Sequence, residues 1–221
     1  MILLSDNDIL IMLAQCNLVD EALNVFQCGL SDCFVVGAAP YSLYLNNPQK
    51  CYEKRLGNHA AFDRLAGLVQ SCQRLGEANE NIDLLEALSR VDGVDDGELE
   101  LFLHADSLYR ANHSYILTTG DKRSLKALLS SNCTLAYPSL FQTVECLESL
   151  LLKAMGLYGH AHIANKVGIG YTTTTKEDRF AKVLRVAFGM GREESATREA
   201  LTYYMQDVAY FIRNFNACQH F

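Results

Sequence analysis

The chain has 221 residues, 49% of them apolar and 20% charged, with a net charge of −7, the composition of a globular protein with a substantial core. No run approaches the ~20 consecutive apolar residues that span a bilayer, and the apolar amino-terminal stretch, broken by Asp6, Asn7 and Asp8 and without a basic lead, is unlike a secretory signal. The negative balance argues against unaided grip on a nucleic-acid backbone, which depends on Lys and Arg neutralising phosphates; a nuclease stays open, because site carboxylates count in that total.

In chain order, Ile2 to Ser5 reads as a buried strand, and Ile9 to Leu13 begins a helix that breaks near Asn17 and resumes from Val19 to Phe26. Cys33 to Ala38 reads as a second strand, and Pro40 opens a helical segment. A longer helix is expected over 59–74, where Ala61, Leu65, Leu68 and Cys72 recur at helical spacing and Gly76 ends the pattern. A short helix over 81–90 leads through Asp92-Gly93 into another over 97–109. Ser114 to Thr118 is the next strand, Lys122 to Leu129 a helix, and Cys133 to Ala136 a short strand before a helix opened by Pro138. Alternation of strands and helices predicts an α/β domain with a mainly parallel sheet over 1–156.

A helical extension is expected over 157–221. Its opening, Gly156 to Gly170, reads as a glycine-marked loop carrying His160 and His162. Thr174 and Glu177 fit a capping box for a helix with Phe180, Val183, Leu184, Ala187 and Phe188 on one face; a second helix carries Leu201, Tyr204, Met205, Val208 and Ile212. Such stripes need cover, from the first domain, a second copy or a protein partner. The eight cysteines, with no CxxC and no histidine pair at zinc spacing, are expected to be reduced, mostly buried thiols of a cytoplasmic protein.

Acidic residues stand at three hand-overs into helices: Ser5-Asp6-Asn7-Asp8, Asp95-Asp96-Gly97-Glu98 and Thr118-Thr119-Gly120-Asp121. Asp6 and Asp121 each follow a predicted strand, and in an open parallel sheet the carboxyl ends of strands converge on one crevice. Glu98 heads the core-facing stripe of Leu101, Phe102 and Ala105, where an unpaired charge would be costly. A divalent cation would partner all three, since hard cations prefer carboxylate oxygens. Helix capping competes for the same aspartates, because Asp is a favoured N-cap.

In order and spacing, the strand followed by Asp6, the Gly97-Glu98 pair opening a helix, and the strand followed by Thr119-Gly120-Asp121 resemble the acidic motifs of PIN-domain ribonucleases. The resemblance covers roughly residues 1 to 150 and implies a three-layer PIN-like α/β fold. It also implies an endoribonuclease in which Asp6, Glu98 and Asp121 hold Mg²⁺ or Mn²⁺ and the metal activates water to cut RNA, as in toxin or defence nucleases. Thr119 takes the place of the hydroxyl beside the last acid. Asp8 stands where the family usually has Asn or Ser, and Asn46 where it commonly offers Glu, so Asp8, Asp95 or Asp96 would complete the ligand set. Lys122 and Arg123, following Asp121, are placed with Thr119 and Asn46 to meet the substrate. The implied partners are RNA and either a second copy or an antitoxin-like protein, with no membrane.

Two other readings compete. Asp6-Asn7-Asp8 imitates the aspartate pair of a haloacid-dehalogenase-like phosphatase, but Ile9-Leu10-Ile11 follows where that family expects a small or hydroxyl residue, and Leu125 occupies the place of its second late acid. Alternatively, Asn46 in place of an acid and the acidic surface fit a non-catalytic PIN-fold binding module.

Overall fold

The computed structural model describes residues 1–78, 81–189 and 191–215. Among them, β1 (Ile2–Ser5), β2 (Cys33–Val35), β3 (Gln73–Arg74), β4 (Tyr115–Thr119) and β5 (Val144–Cys146) form one five-stranded sheet in the order β3-β2-β1-β4-β5. Every pairing is parallel. Leu3 and Leu4 of β1 and Ile116 and Leu117 of β4 are all buried, as expected where helices cover both faces of a parallel sheet. The alternating pattern anticipated this α/β arrangement with a parallel sheet, and the helices around the sheet are consistent with the three-layer fold that the resemblance implies.

Between β1 and β2 lie α1 (Asn7–Cys16) and α2 (Val19–Phe26), separated at Asn17, whose left-handed backbone (φ 53°) ends α1. The connection to β3 contains α3 (Ala39–Ser42), α4 (Pro48–Cys51), a π-helical turn Tyr52–Leu56 and α5 (Ala60–Ser71). Next, α6 (Ile82–Leu88) and α7 (Asp96–Arg110) lead to β4, and α8 (Arg123–Ser130) and α9 (Tyr137–Leu140) lead to β5. The chain finishes with α10 (Leu147–Tyr158), α11 (His160–Thr173), α12 (Lys182–Ala187) and α13 (Glu194–Met205). Helix α1 packs on α5 and α11, α2 on α10, and α7 on β1, β4 and α9.

The departures from expectation have local causes. The second strand stops at Val35. The helix expected to reach 74 ends at Ser71, and the exposed Gln73–Arg74 joins the sheet edge with no apolar run to announce it. Residues 133–136 are not a strand: Thr134–Ala136 is a 3₁₀ turn. The helix opened by Pro138 lasts one turn before Phe141 turns extended and Gln142 adopts φ 53°, and the strand follows at Val144–Cys146. Three residues are too few for a periodic signal, and the middle one, Glu145, is a buried acid paired with Lys153.

The glycine-marked loop is helix α11. There glycine marks close packing: a Cβ on Gly170 would lie 3.0 Å from Gln15 O and 3.1 Å from Cys16 Sγ, so α11 crosses the end of α1 at backbone distance. His160 and His162 are helical, and His162 Nε2 lies 2.7 Å from Glu21 Oε1. Thr174 ends α11, its hydroxyl donating to Gly170 O at 2.8 Å, and α12 starts only at Lys182.

Residue 156 lies inside α10, and one buried apolar cluster runs from the sheet into the last helices. Phe180, Leu184, Ala187, Leu201, Met205, Val208 and Ile212 are buried within this chain, while Val183, Phe188 and Tyr204 of the same stripes are half-buried. Val144 N–H donates to Phe211 O (3.1 Å) and Arg213 N–H to Val144 O (2.9 Å), so the carboxyl-terminal segment covers the β5 edge. The described cysteines are free thiols, Cys28 half-buried and the others buried; Cys218 and His220 lie outside the described residues. Among the described residues no helix is long and apolar enough to cross a membrane.

Candidate active site

From β1 the chain moves through β2 and β3 to one side of the sheet, then returns to place β4 and β5 on the other. Strand order therefore reverses between β1 and β4, the point at which open parallel sheets form a crevice at their carboxyl ends. Ser5 pairs with Thr118 in register, and Asp6 N–H donates to Thr118 O at 3.1 Å, so Asp6 and the Thr119–Asp121 turn face each other across that crevice.

A glycine sets how closely they approach. A Cβ on Gly120 would lie 2.8 Å from both Asp8 C and Ile9 N, so any larger residue would push the β4–α8 turn off the first turn of α1. With glycine there, Gly120 N–H points at Asp6 (3.1 Å to Oδ2), and the Thr119 hydroxyl lies 2.5 Å from Asp6 Oδ2 and 2.6 Å from Asp121 O. Asp6 also caps α1, Oδ1 accepting from Ile9 N–H at 2.8 Å. Capping and clustering are thus properties of one carboxylate.

Burial first, and the Asp8 carboxylate second, push Asp6 up to about 7 despite hydrogen bonds from Ile9, Thr119 and Gly120 that favour its charged form. Asp8 is raised by burial and then by the charge of Asp121, with Arg55 and Arg123 opposing. Glu98 is raised mainly by burial, against hydrogen bonds from Asp95 N–H and Ser124, with Asp95 and Asp121 adding repulsion. Asp6, Glu98, Thr119 and Ser124 line one narrow cavity of about 10 Å³, floored by Leu101 and Phe102, close to the room that a single water needs.

Beside these acids, the other anticipated residues have different surroundings. Asp121 accepts from Arg123 N–H at 2.9 Å and is ion-paired with Arg123 Nε. Glu98 and Asp95 form a reciprocal capping box at the start of α7, with hydrogen bonds of 2.9 and 3.0 Å. It is Asp95 whose charge reaches Asp8 and Glu98; Asp96 stands exposed in the first turn of α7. Lys122 turns inward to an ion pair with the buried Glu148 and does not face the crevice. Asn46 is exposed in the turn after α3. That segment reaches the site through Ser42 instead, whose Oγ accepts from Asn7 Nδ2 at 2.9 Å.

Arg55 was missed. Its Nε donates to Ser42 O at 3.0 Å, and its charge reaches Asp8. The adjacent basic pair Lys54-Arg55 was the only signal in the sequence, and nothing local ties it to Asp8.

Among the described residues no three or more His, Cys, Asp or Glu side chains are grouped as a ready metal site. The donor chemistry nevertheless fits a hard divalent cation: carboxylates, with Asp6 raised by burial and then by Asp8, and Asp8 raised by burial and then by Asp121. Asp121 is engaged by Arg123 and Glu98 by its own cap, and loading would require both to turn. Comparison of the chain with protein-family models, with curated proteins and with solved structures gives no match to any of them.

Proposed function

We propose that this chain is a metal-dependent endoribonuclease that hydrolyses RNA phosphodiester bonds at the crevice between β1 and β4. The observation that carries this reading is the set of mutually repelling carboxyls at the switch point, in which Asp121 raises Asp8 and Asp8 raises Asp6. A divalent cation relieves that repulsion.

Asp6, Asp8, Glu98 and Asp121 would hold Mg²⁺ or Mn²⁺, which when bound supplies a water of lowered pKa and polarises a phosphoryl oxygen. Asp6, raised by burial, would give up its proton to hold the cation. Thr119 and Gly120 fix the Asp6 carboxylate, as supporting hydrogen bonds commonly do for ligands. Arg123, once released from Asp121, is free to meet substrate phosphate. The free thiols among the described cysteines fit a reducing, cytoplasmic setting.

The phosphatase reading is less well supported. Both Asp6 oxygens are occupied by the N–H groups of Ile9 and Gly120 and the Thr119 hydroxyl, and the residue is 9% exposed, a poor posture for a nucleophile.

The test is cleavage of a mixed RNA pool with Mn²⁺ or with EDTA, by wild type, Asp6→Asn and Asp121→Asn, alongside thermal melts. Cleavage that needs Mn²⁺ and is lost in both folded variants is expected. Equal cutting in EDTA, or wild-type cutting by both variants, would replace this reading with that of a non-catalytic binding module.

A further inference from the structure

Asp8, whose charge acts on Asp6, also lines a groove of about 290 Å³ with Lys54, Arg55, Arg179, Lys182 and Arg185, where Asp178 is the other acidic residue. Five cations against two carboxylates, Lys54 and Arg55 on one wall and Arg179, Lys182 and Arg185 on the other, make a local reversal of a chain whose net charge is −7.

The groove is held from beneath. Gln15, 2% exposed on α1, donates through Nε2 to Leu56 O at 2.7 Å and to Arg179 O at 2.8 Å, clamping the π-helical turn to the segment before α12. Thr175 N–H donates to Gly57 O at 2.8 Å, and Tyr52 Oη lies 2.6 Å from Thr175 Oγ1. Both walls are therefore fixed to α1, the helix that Asp6 caps and that carries Asp8.

We infer that this groove binds the phosphate backbone of a single-stranded RNA and leads it to the acid crevice at Asp8. The inference rests on the hydrolytic reading above for its choice of polyanion. Arginine forks pair with phosphate oxygens in two-point contacts, and a ligand that spans groove and crevice must be an extended anion. Neutralising phosphates with these cations is how an acidic chain gains the affinity that its net charge withholds.

The experiment is fluorescence anisotropy of a short labelled single-stranded RNA over a range of salt, in EDTA, so that binding is read without cleavage. Lys54→Gln combined with Lys182→Gln, both exposed positions, is compared with wild type and with Arg90→Gln, an exposed cation outside the groove. The double variant is expected to bind about tenfold more weakly and to flatten the slope of log K against log salt by about 1.4, the share of two phosphate contacts on a single strand. The Arg90 variant should match wild type, and all should melt alike.

A double variant with wild-type affinity and slope overturns the groove, whatever cleavage shows. Tighter binding of poly-glutamate than of RNA of matched charge also overturns it, in favour of an acidic protein partner. Wild type that binds RNA in this salt-dependent way yet leaves it intact with Mn²⁺ sinks the hydrolytic reading and upholds the groove.

Discussion

The acid crevice takes Asp6, Asp8 and Asp121 from positions next to strand ends and Glu98 from the head of α7, whereas the basic groove takes its cations from residues 54–55 and 179–185, far apart along the chain. The first is assembled by sheet register: once β1 and β4 pair, Asp6 and Thr119 have no choice but to face each other. The second depends on Gln15 and Thr175 holding distant segments together. A net charge averages over both regions and so describes neither.

The sharpest way to break the contrast is to remove one acid without disturbing its cap. Asn caps helices about as well as Asp, so Asp6→Asn should keep the fold while Mn²⁺-dependent RNA cleavage falls by orders of magnitude. Comparable cleavage by the folded variant would show that the crevice is only a set of caps.

Lys122 tests whether neighbouring cations belong to the substrate or to the scaffold. It is 13% exposed and paired with Glu148, which is 1% exposed, so Lys122→Met should strand a buried carboxylate and cost about 3–5 kcal/mol of stability by chemical denaturation. RNA affinity of the remaining folded protein should match wild type. A stable variant with weakened RNA binding would return Lys122 to the substrate.

Gly120→Ala probes the closeness of the crevice itself. Its Cβ would meet the Asp8 and Ile9 backbone at 2.8 Å, and the forced shift should cost about 1–3 kcal/mol. Cleavage should fall as well, since Asp121 moves with the turn; groove binding of RNA in EDTA should not. Loss of both together would mean that the two regions are not independent.

The smallest effect expected is a pH slope. Loading a cation must displace the Asp6 proton, so cleavage should rise about tenfold per pH unit until about 7 and then level. In EDTA the stability effect has the opposite sense. Because the folded value lies above the ordinary 3.8, the folded state holds the extra proton between the two; this contribution is complete below 3.8 and lost as pH rises through about 7. Asp6→Asn should flatten that dependence in thermal melts. An unchanged slope would place the raised group elsewhere.

Much of this was written locally. The apolar runs Ile2-Leu3-Leu4 and Tyr115-Ile116-Leu117 determined the two central strands, and the acids following them determined which end of the sheet would be charged, because a parallel strand buried on both faces leaves an unbroken apolar signature. The helical stripe above Glu98 was equally legible, since its period spans several turns. Tertiary structure alone decided the rest. Val144–Cys146 and Gln73–Arg74 are strands only because the sheet offers them a neighbour. Gly170 reads as a loop marker until α11 is seen crossing α1. Lys122 turned inward and Arg55 came beside the acids because burial beside Glu148 and proximity to Asp8 are distances through space, and residue order encodes neither.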